Sequence, residues 1–303
     1  MNAPTNPFSP TENEQKKERI AGGAKWFTFG LSIALLIPMI WIMGMILTKA
    51  WPVLSWDYLT GNVKDMGRAG GIWGPLIGTF WLTLACLLIV APIGILAGIY
   101  LNEYAPDNRL TRSIMIAVTT LAGVPSIVHA LFGLGAFVAA MRIGTSLLAA
   151  SLTLAVMTLP VMIASTREAL GSVPKNFREA CWNLGASRWQ TIRTIVLPNS
   201  ISGILTGVIL VICRAAGETA PIMVTGAVFY TRIGSEGIEK FAPFGLGDSF
   251  MAMSYHLNLI SKDVPGMAES MKFGSAFVLL AMILIINSFA MALRTRLRRT
   301  KRW

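Results

Sequence analysis

Long apolar runs separated by polar segments form the pattern of this 303-residue chain. A transmembrane helix needs about 20 consecutive, mostly apolar residues to cross the hydrocarbon core of a bilayer. Six runs reach that length: residues 26–47, 75–101, 113–139, 144–166, 195–228 and 273–293. The pattern therefore predicts an all-α integral membrane protein in which six transmembrane helices form one domain over residues 26–293.

The polar segments between these runs predict how the chain crosses the membrane. With six spans, both termini lie on the same side of the membrane. The polar segments on that side are residues 1–25, 102–112, 167–194 and 294–303. Together they carry 17 of the 26 lysine and arginine residues. Because loops rich in lysine and arginine stay in the cytoplasm, we expect both termini to be cytoplasmic. The polar, proline-containing residues 1–25 are predicted to be disordered, and residues 294–303 to form a basic tail.

The composition agrees with a membrane protein, since 54% of the residues are hydrophobic and only 14% are charged. The net charge of +11 lies mostly in the segments predicted to be cytoplasmic. Basic segments at a membrane surface contact anionic lipid headgroups, so membrane lipid is the expected partner of this charge and nucleic acid is not. The three cysteines form no disulfide pattern and are expected to be reduced thiols.

The run at 195–228 has two features that a simple membrane anchor does not need. Its 34 residues exceed one straight crossing, so we expect it to be broken. It also carries Arg214 and Glu218, four residues apart on one helical face. Each such charge costs roughly 2.5–3.5 kcal/mol to place in the membrane. Two interpretations stay open: a structural ion pair, or an anion site in which the arginine fork binds substrate oxygens.

Helix-breaking residues occur inside another run. Gly123-Val124-Pro125 lies in the middle of 113–139 and is followed by Ser126 and His129. Backbone groups freed by such a break need partners in the protein or in a water-filled cavity. Several other runs also contain proline, and frequent breaks fit a transporter better than a simple anchor; the alternative is that these prolines only kink their helices.

The segment EALGSVPKNFREACWNLGASRWQTIRTIVLP, residues 168–198, predicts two short helices joined by a corner. Gly185 suits the left-handed stop of the first helix, and Ser187-Arg188-Trp189-Gln190 has the form of a capping box that starts the second. Apolar side chains among charges favour a docking surface or a segment lying on the lipid headgroups. These residues leave both possibilities open.

The loop at 229–272 contains methionines and aromatic residues around positions 250–255, which predict a short amphipathic helix. The topology places this loop on the outer side of the membrane. It has two possible roles: it receives a soluble binding protein, or it covers the protein's own spans as a lid.

One motif begins in the loop 167–194 and ends at the start of the next apolar run. Glu179-Ala180-Cys181, then Gly185 after three residues, then Ile195-Val196-Leu197-Pro198 after nine, resembles the motif of ABC importer permeases, with Cys181 replacing an alanine. The resemblance implies a type I, MetI-like permease fold whose coupling helix sits in a cleft of a partner ATPase, and we call residues 167–194 the coupling loop. The coupling residues are then expected to be Phe177, Arg178, Glu179, Ala180, Cys181, Leu184, Gly185 and Ala186.

The chain lacks the sequence G-x-x-x-x-G-K-[ST] that cradles nucleotide phosphates. We therefore expect a transport subunit and not an enzyme. ATP and Mg²⁺ are expected only in two partner ATPase subunits, with no cofactor and no metal site in this chain.

A second resemblance concerns the substrate. Arg214-Ala-Ala-Gly-Glu218-Thr-Ala-Pro221 is similar to the span-five motif of A-type permeases of the bacterial phosphate-specific (Pst) ABC system, and other stretches agree: GGIWGPLIGT, APIGILAGIYLNEYA, GVPSIVHALFGLGAF and SLTLAVMTLP. One departure is His129, where that family has a tyrosine. The resemblance implies phosphate import across the bacterial inner membrane. It also implies a C-type permease as the second half of the pathway and a phosphate-binding protein outside.

The residues expected along the substrate pathway are Arg214, Glu218, Thr219, Ser126 and His129. Arg214 is expected to bind the anion, and Glu218 to orient the arginine or to balance its charge between substrates. Two alternatives remain: another oxyanion (phosphonate, sulfate or molybdate) as the substrate, or phosphate sensing as the main role. The ATPase-docking motif disfavours an ATP-independent channel.

Overall fold

A computed structural model describes residues 12–231, 233 and 238–299, and most of them are helical. The helices are α1 (Glu12–Ala50), α2 (Trp56–Thr60), α3 (Trp73–Ile99), α4 (Arg109–Ala122), α5 (Ser126–Gly133), α6 (Leu147–Gly171), α7 (Lys175–Asn183), α8 (Arg188–Thr191), α9 (Leu197–Gly217), α10 (Ala220–Thr225), α11 (Ile238–Phe241), α12 (Met253–Lys262) and α13 (Glu269–Arg299). Three π-helical turns extend or join them: Tyr100–Tyr104, Leu134–Ala140 and Ile192–Val196. Between α2 and α3, strands β1 (Val63–Lys64) and β2 (Ala69–Gly70) form a short antiparallel hairpin.

Five of these helical segments are long and apolar enough to cross a membrane, and the pair α4–α5 forms a sixth, bent candidate. The five cover Ile20–Ala50, Trp73–Tyr104, Leu147–Gly171, Arg188–Gly217 and Glu269–Arg296. The predicted all-α membrane fold is therefore confirmed.

The N-terminal segment differs from the prediction. Residues 12–25, predicted to be disordered, continue α1 as helix, and residues 1–11 lie outside the described residues. Glutamate, glutamine and lysine are good helix formers, and adding turns to an existing apolar helix needs no new nucleus. At the other end, residues 294–299 of the predicted tail continue α13.

The centre of the bundle is built from α3, α6 and α9, which pack closely because small residues line their contacts. Gly94 and Gly98 of α3 lie directly against Met162 and Thr166 of α6. Gly207 of α9 lies in the same way against Ser165. Glycines at such positions let helix backbones approach each other within a bilayer, where van der Waals contact drives association.

The third predicted span, 113–139, is not one straight helix. It is divided into α4 and α5 plus its π-helical extension, and the two parts meet at 101°. The break falls at Gly123-Val124-Pro125, as the sequence indicates, because proline lacks an N–H group and disfavours helical geometry in the residue before it. Helix α4 has no buried residue among its 14 and packs mainly against α6.

The fifth span is also broken, as expected. Helix α9 ends at Gly217, and Glu218 has extended backbone angles (φ −73°, ψ 138°). Helix α10 then begins at Ala220, with Pro221 in its first turn, where the missing N–H has no cost. The break therefore places Glu218 and Thr219 in non-helical backbone between two membrane segments.

Part of the loop 229–272 returns into the bundle as a buried strap, residues 248–254. Its main chain is bonded to three elements: Leu147 N donates to Asp248 O (2.8 Å), Phe250 N to Gly226 O (3.1 Å) and Met253 N to Thr79 Oγ1 (2.9 Å). Residues 250–254 are all buried. This packing corresponds to the alternative in which the loop covers the protein's own spans, and α12 follows the strap as the short helix.

His256, in α12 just after the strap, lies against the turn of the β1–β2 hairpin. Its ring stacks on Phe229, with ring centres 5.7 Å apart, and Gly67 of the hairpin turn (φ +79°) lies against both rings. His256 is buried, and its Nδ1 has no hydrogen-bond partner within the described part of the chain. Burial lowers the pKa of His256 from 6.5 to about 4, since desolvation disfavours the charged ring.

We expect Gly78→Ala to destabilise the protein by about 1–3 kcal/mol, the usual effect of overpacking. A methyl group at position 78 would collide with the main-chain carbonyl of Met251 in the strap, and that carbonyl has little freedom to move. The measurement is the thermal unfolding of the purified protein in detergent. Gly44→Ala is the matched control, because no atom lies within 4 Å of a methyl group there; equal unfolding temperatures for the two variants would contradict the prediction.

We expect the stability of the wild-type protein to fall between pH 6.5 and pH 4 because of His256. The unfolded ring takes up its proton near pH 6.5, whereas the folded ring does so only near pH 4. Its contribution is therefore complete above pH 6.5 and decreases as the pH falls through this window, by up to about 3 kcal/mol. Thermal unfolding between pH 7.5 and 4 checks this; His256→Gln should show a shallower pH dependence, and an identical one would contradict it.

Candidate functional site

The two charges of span five form an ion pair at the break in the helix. Arg214 lies in the last turn of α9, and its Nε is 3.4 Å from Oε1 of Glu218. The side chains are 32% and 20% exposed, so the pair is neither buried nor fully in solvent. Within the described residues no other group accepts a hydrogen bond from this guanidinium, and its two Nη groups are therefore open.

The strap reaches this ion pair directly. Ser254 Oγ donates to the main-chain carbonyl of Glu218 (2.8 Å), which the helix break leaves without a helical partner. Ser254 itself is buried. A hydrogen bond thus joins the strap to Glu218, the residue that pairs with Arg214. Sequence reasoning missed Ser254, because nothing in the loop pattern places residue 254 beside residue 218.

The other predicted pathway residues lie on neighbouring elements. Thr219 is partly buried just before α10, and Ser126 is the partly buried first residue of α5. His129 is buried on α5, with Nδ1 3.3 Å from the carbonyl of Pro125 and Nε2 without a partner in the described chain. Helix α5 packs against α10. No hydrogen bond among the described residues joins Ser126 or His129 to Arg214 or Glu218.

The coupling loop has the local structure that the sequence predicts. Gly185 has a left-handed backbone (φ +82°) after α7, and Ser187 and Gln190 form both hydrogen bonds of a capping box at the start of α8. Four apolar side chains are exposed on this loop, Leu184 the most at 87%. They are Phe177, Trp182, Leu184 and Trp189. An apolar group on a charged surface is typical of a docking site.

Arg178, one of the residues expected to take part in coupling, does not lie on this exposed surface. It is buried and forms a two-pronged ion pair with Glu103, from Nη2 to Oε1 (2.8 Å) and from Nε to Oε2 (3.2 Å). It faces inward because α7 is amphipathic and position 178 lies on its inner side. Glu103, in the stretch LNEYA, is a further residue that sequence reasoning missed, since it lies 75 positions away.

The described residues contain no group of three or more His, Cys, Asp or Glu side chains that could hold a metal ion. Cys86, Cys181 and Cys213 are free thiols.

Comparisons with known proteins identify the family. Residues 91–303 match the family described as the binding-protein-dependent transport system inner membrane component. The chain is 31% identical over 288 residues to the probable ABC transporter permease protein YqgI of Bacillus subtilis, covering 93% of this chain and 97% of that protein. It is 32% identical over 278 residues to the phosphate transport system permease protein PstA of Mycobacterium leprae, covering 89% and 87%.

A solved structure shows the same fold. The bacterial ABC transporter involved in the import of the acidic polysaccharide alginate contains a chain that matches with a TM-score of 0.61, 15% identity and coverage of 93% of this chain and 100% of that one. These similarities confirm the predicted permease fold. They also confirm that the chain is a transport subunit. The chain therefore belongs to the family of binding-protein-dependent transport system inner membrane components.

Proposed function

We propose that this chain is the A-type permease subunit of an ATP-driven importer of inorganic phosphate. The PstA relatives, 31–38% identical to it, are named as phosphate transport permeases. In this proposal the chain forms half of the pathway and a C-type permease forms the other half. Two ATPase subunits complete the complex, one of them docked at the coupling loop of this chain. A phosphate-binding protein delivers the substrate from outside, and both termini lie in the cytoplasm.

The observation that carries the proposal is the incompletely bonded guanidinium of Arg214. A structural arginine in a low-dielectric setting uses most of its five N–H donors, as Arg178 does with four hydrogen bonds. Arg214 uses one, to Glu218, at the long distance of 3.4 Å. Its free Nη edge has the planar, two-pronged geometry that suits phosphate oxygens. An open arginine at a helix break therefore favours the anion site over the purely structural ion pair.

Glu218 then has a defined role in the transport cycle. Between substrates it holds the arginine charge, which is costly to leave unpaired within the membrane. When phosphate arrives, the anion replaces the carboxylate as the partner of Arg214, and the weak contact of 3.4 Å makes that exchange easy. When the carboxylate pairs again, it competes with phosphate and promotes release. Thr219, Ser126 and His129 are proposed to line the path beside this pair.

The coupling loop is proposed to dock in the ATPase through its exposed apolar group. Leu184 and Trp182 project at the corner of the two short helices, and Glu179 is exposed beside them. Anchors of this kind, surrounded by polar groups, are typical of protein interfaces. ATP binding and hydrolysis in the partner would move this loop.

We expect Arg214→Gln to reduce ATP-dependent phosphate uptake at least tenfold in vesicles that contain the full complex. A hydrogen bond to a charged group contributes about 1.5–3 kcal/mol, which corresponds to roughly a 10- to 100-fold effect. Glu218→Gln should lower both the KM and the maximal rate, because phosphate then has no competitor for the arginine. Arg112→Gln, which removes an exposed pair with Asp107, should change uptake less than twofold.

One result would contradict the role of Arg214, and another would contradict phosphate as the specific substrate. If both single variants fail to assemble and the double variant Arg214→Gln/Glu218→Gln restores uptake, the pair is structural. If excess sulfate, molybdate or a phosphonate inhibits uptake as well as unlabelled phosphate does, the substrate is a broader class of oxyanion than phosphate.

We expect Leu184→Glu to reduce co-purification of the ATPase subunits more than tenfold. The side chain is 87% exposed, so the change leaves the fold intact and places a charge in the middle of the proposed contact. Leu246→Glu is the control, because Leu246 is also exposed but lies in the loop proposed to face the other side. Normal recovery of the ATPase with the Leu184 variant would exclude this docking surface.

A further inference from the structure

The coupling loop is attached to the membrane spans by a buried charge cluster centred on Arg178. Besides the ion pair with Glu103, Arg178 Nη1 donates to the carbonyl of Val173 (2.6 Å) and Nη2 to that of Leu170 (2.8 Å). Asn102 Nδ2 adds a further hydrogen bond to Glu103 Oε1 (2.7 Å). The Arg178 and Glu103 side chains are only 10% and 8% exposed. We call the Glu103–Arg178 pair the charge clamp.

The charge clamp joins three elements at one point. Glu103 lies in the π-helical turn that ends α3, Leu170 lies in the last turn of α6, and Arg178 lies on α7. Helices α3 and α6 pack against each other through their glycine contacts. A displacement of α7 therefore either moves the ends of both helices or breaks the clamp.

Packing alone does not make this connection. Helix α7 packs mainly against α8 and the π-helical turn Ile192–Val196. A cavity of about 600 Å³ with a mixed polar and apolar lining lies between α7 and the end of α3, and its lining includes Tyr104, Pro106, Glu179 and Arg188 as well as the clamp itself. The side chains of Glu103 and Arg178 bridge this gap. A two-pronged pair also fixes the orientation of the guanidinium relative to the carboxylate, because both N–H···O contacts must be kept at once.

We propose that the Glu103–Arg178 clamp transmits the movement of α7, the coupling helix, to α3 and α6, which are the second and fourth spans. The inference rests on the proposed function, in which a partner ATPase drives α7. Both residues are positioning residues: neither touches phosphate or ATP. When the clamp is weakened, the ATPase can still bind and hydrolyse ATP, but the spans follow α7 incompletely.

The test compares Glu103→Gln, Arg178→Gln and the double variant in proteoliposomes that contain the full complex. Phosphate uptake and ATP hydrolysis are measured in the same preparation, and their ratio is the readout. We expect Glu103→Gln to lower uptake per ATP at least fivefold while the ATPase subunits stay bound. The exposed pair Arg112–Asp107 provides the control, since Arg112→Gln/Asp107→Asn should leave the ratio unchanged.

The double variant separates transmission from stability. Each single variant leaves one buried charge unpaired and should lower the unfolding temperature, because breaking a buried pair is costly. The double variant removes both charges and should recover stability. If the clamp transmits movement, uptake per ATP stays low in the stable double variant. If the clamp is only structural, the ratio is normal in every variant that assembles, and the proposal is overturned.

A second measurement does not depend on the identity of the substrate. ATP binding to the unmodified complex should change amide hydrogen exchange both in α7 and in residues 100–104. In the double variant the change should remain in α7 and be lost in residues 100–104. If the unmodified complex takes up no phosphate, the proposed function fails, and this measurement still tests the clamp. Equal changes in residues 100–104 with and without the clamp would overturn it.

Discussion

The absence of water from the hydrocarbon core is the constraint on which this structure depends. Each charge and each backbone group released by a helix break must find its partner in the protein or in a water-filled cavity. The break at Glu218 meets this requirement through the buried strap, whose Ser254 binds the freed carbonyl. Part of the loop 229–272 therefore lies inside the bundle, where it supplies a partner for the interrupted span beside it.

The two arginines that stand out in this chain answer the same constraint in opposite ways. Arg178 uses four of its five N–H donors and holds elements together. Arg214 has one weak partner and retains donors for another. Nearly complete bonding favours a fixed joint, whereas incomplete bonding favours exchange of partners. The number and quality of hydrogen bonds thus distinguish the two proposed roles better than burial or charge does.

Local features were predictable from the sequence because local forces determine them. The lengths of the apolar runs predicted the spans. Gly185 and the capping box predicted the corner of the coupling loop, and Pro125 predicted the break in the third span. The 101° bend at that break was not predictable, because the direction of a kink is decided by packing against other helices. The prediction for residues 12–25 was also wrong. It considered only the composition of these residues and not the adjoining apolar helix, which they continue.

Contacts between distant parts of the chain were beyond sequence reasoning. Glu103 and Arg178 are 75 residues apart, and Ser254 is 36 residues from Glu218. Pattern and spacing carry no information at such separations without homologous sequences. For the pathway, the sequence indicated the charged pair and its helical spacing. It did not indicate that Glu218 lies outside the helix while Arg214 stays in its last turn.

The buried strap also limits the order in which the protein can be assembled. The strap is synthesised after α3, α6 and α10, yet it supplies partners for Thr79 and Gly226, which belong to the earlier part of the chain. Until residues 248–254 reach their place, these groups and the carbonyl of Glu218 lack their final bonds. These hydrogen bonds of the bundle can therefore form only after residues 248–254 have been synthesised, when α3, α6 and α10 are already present.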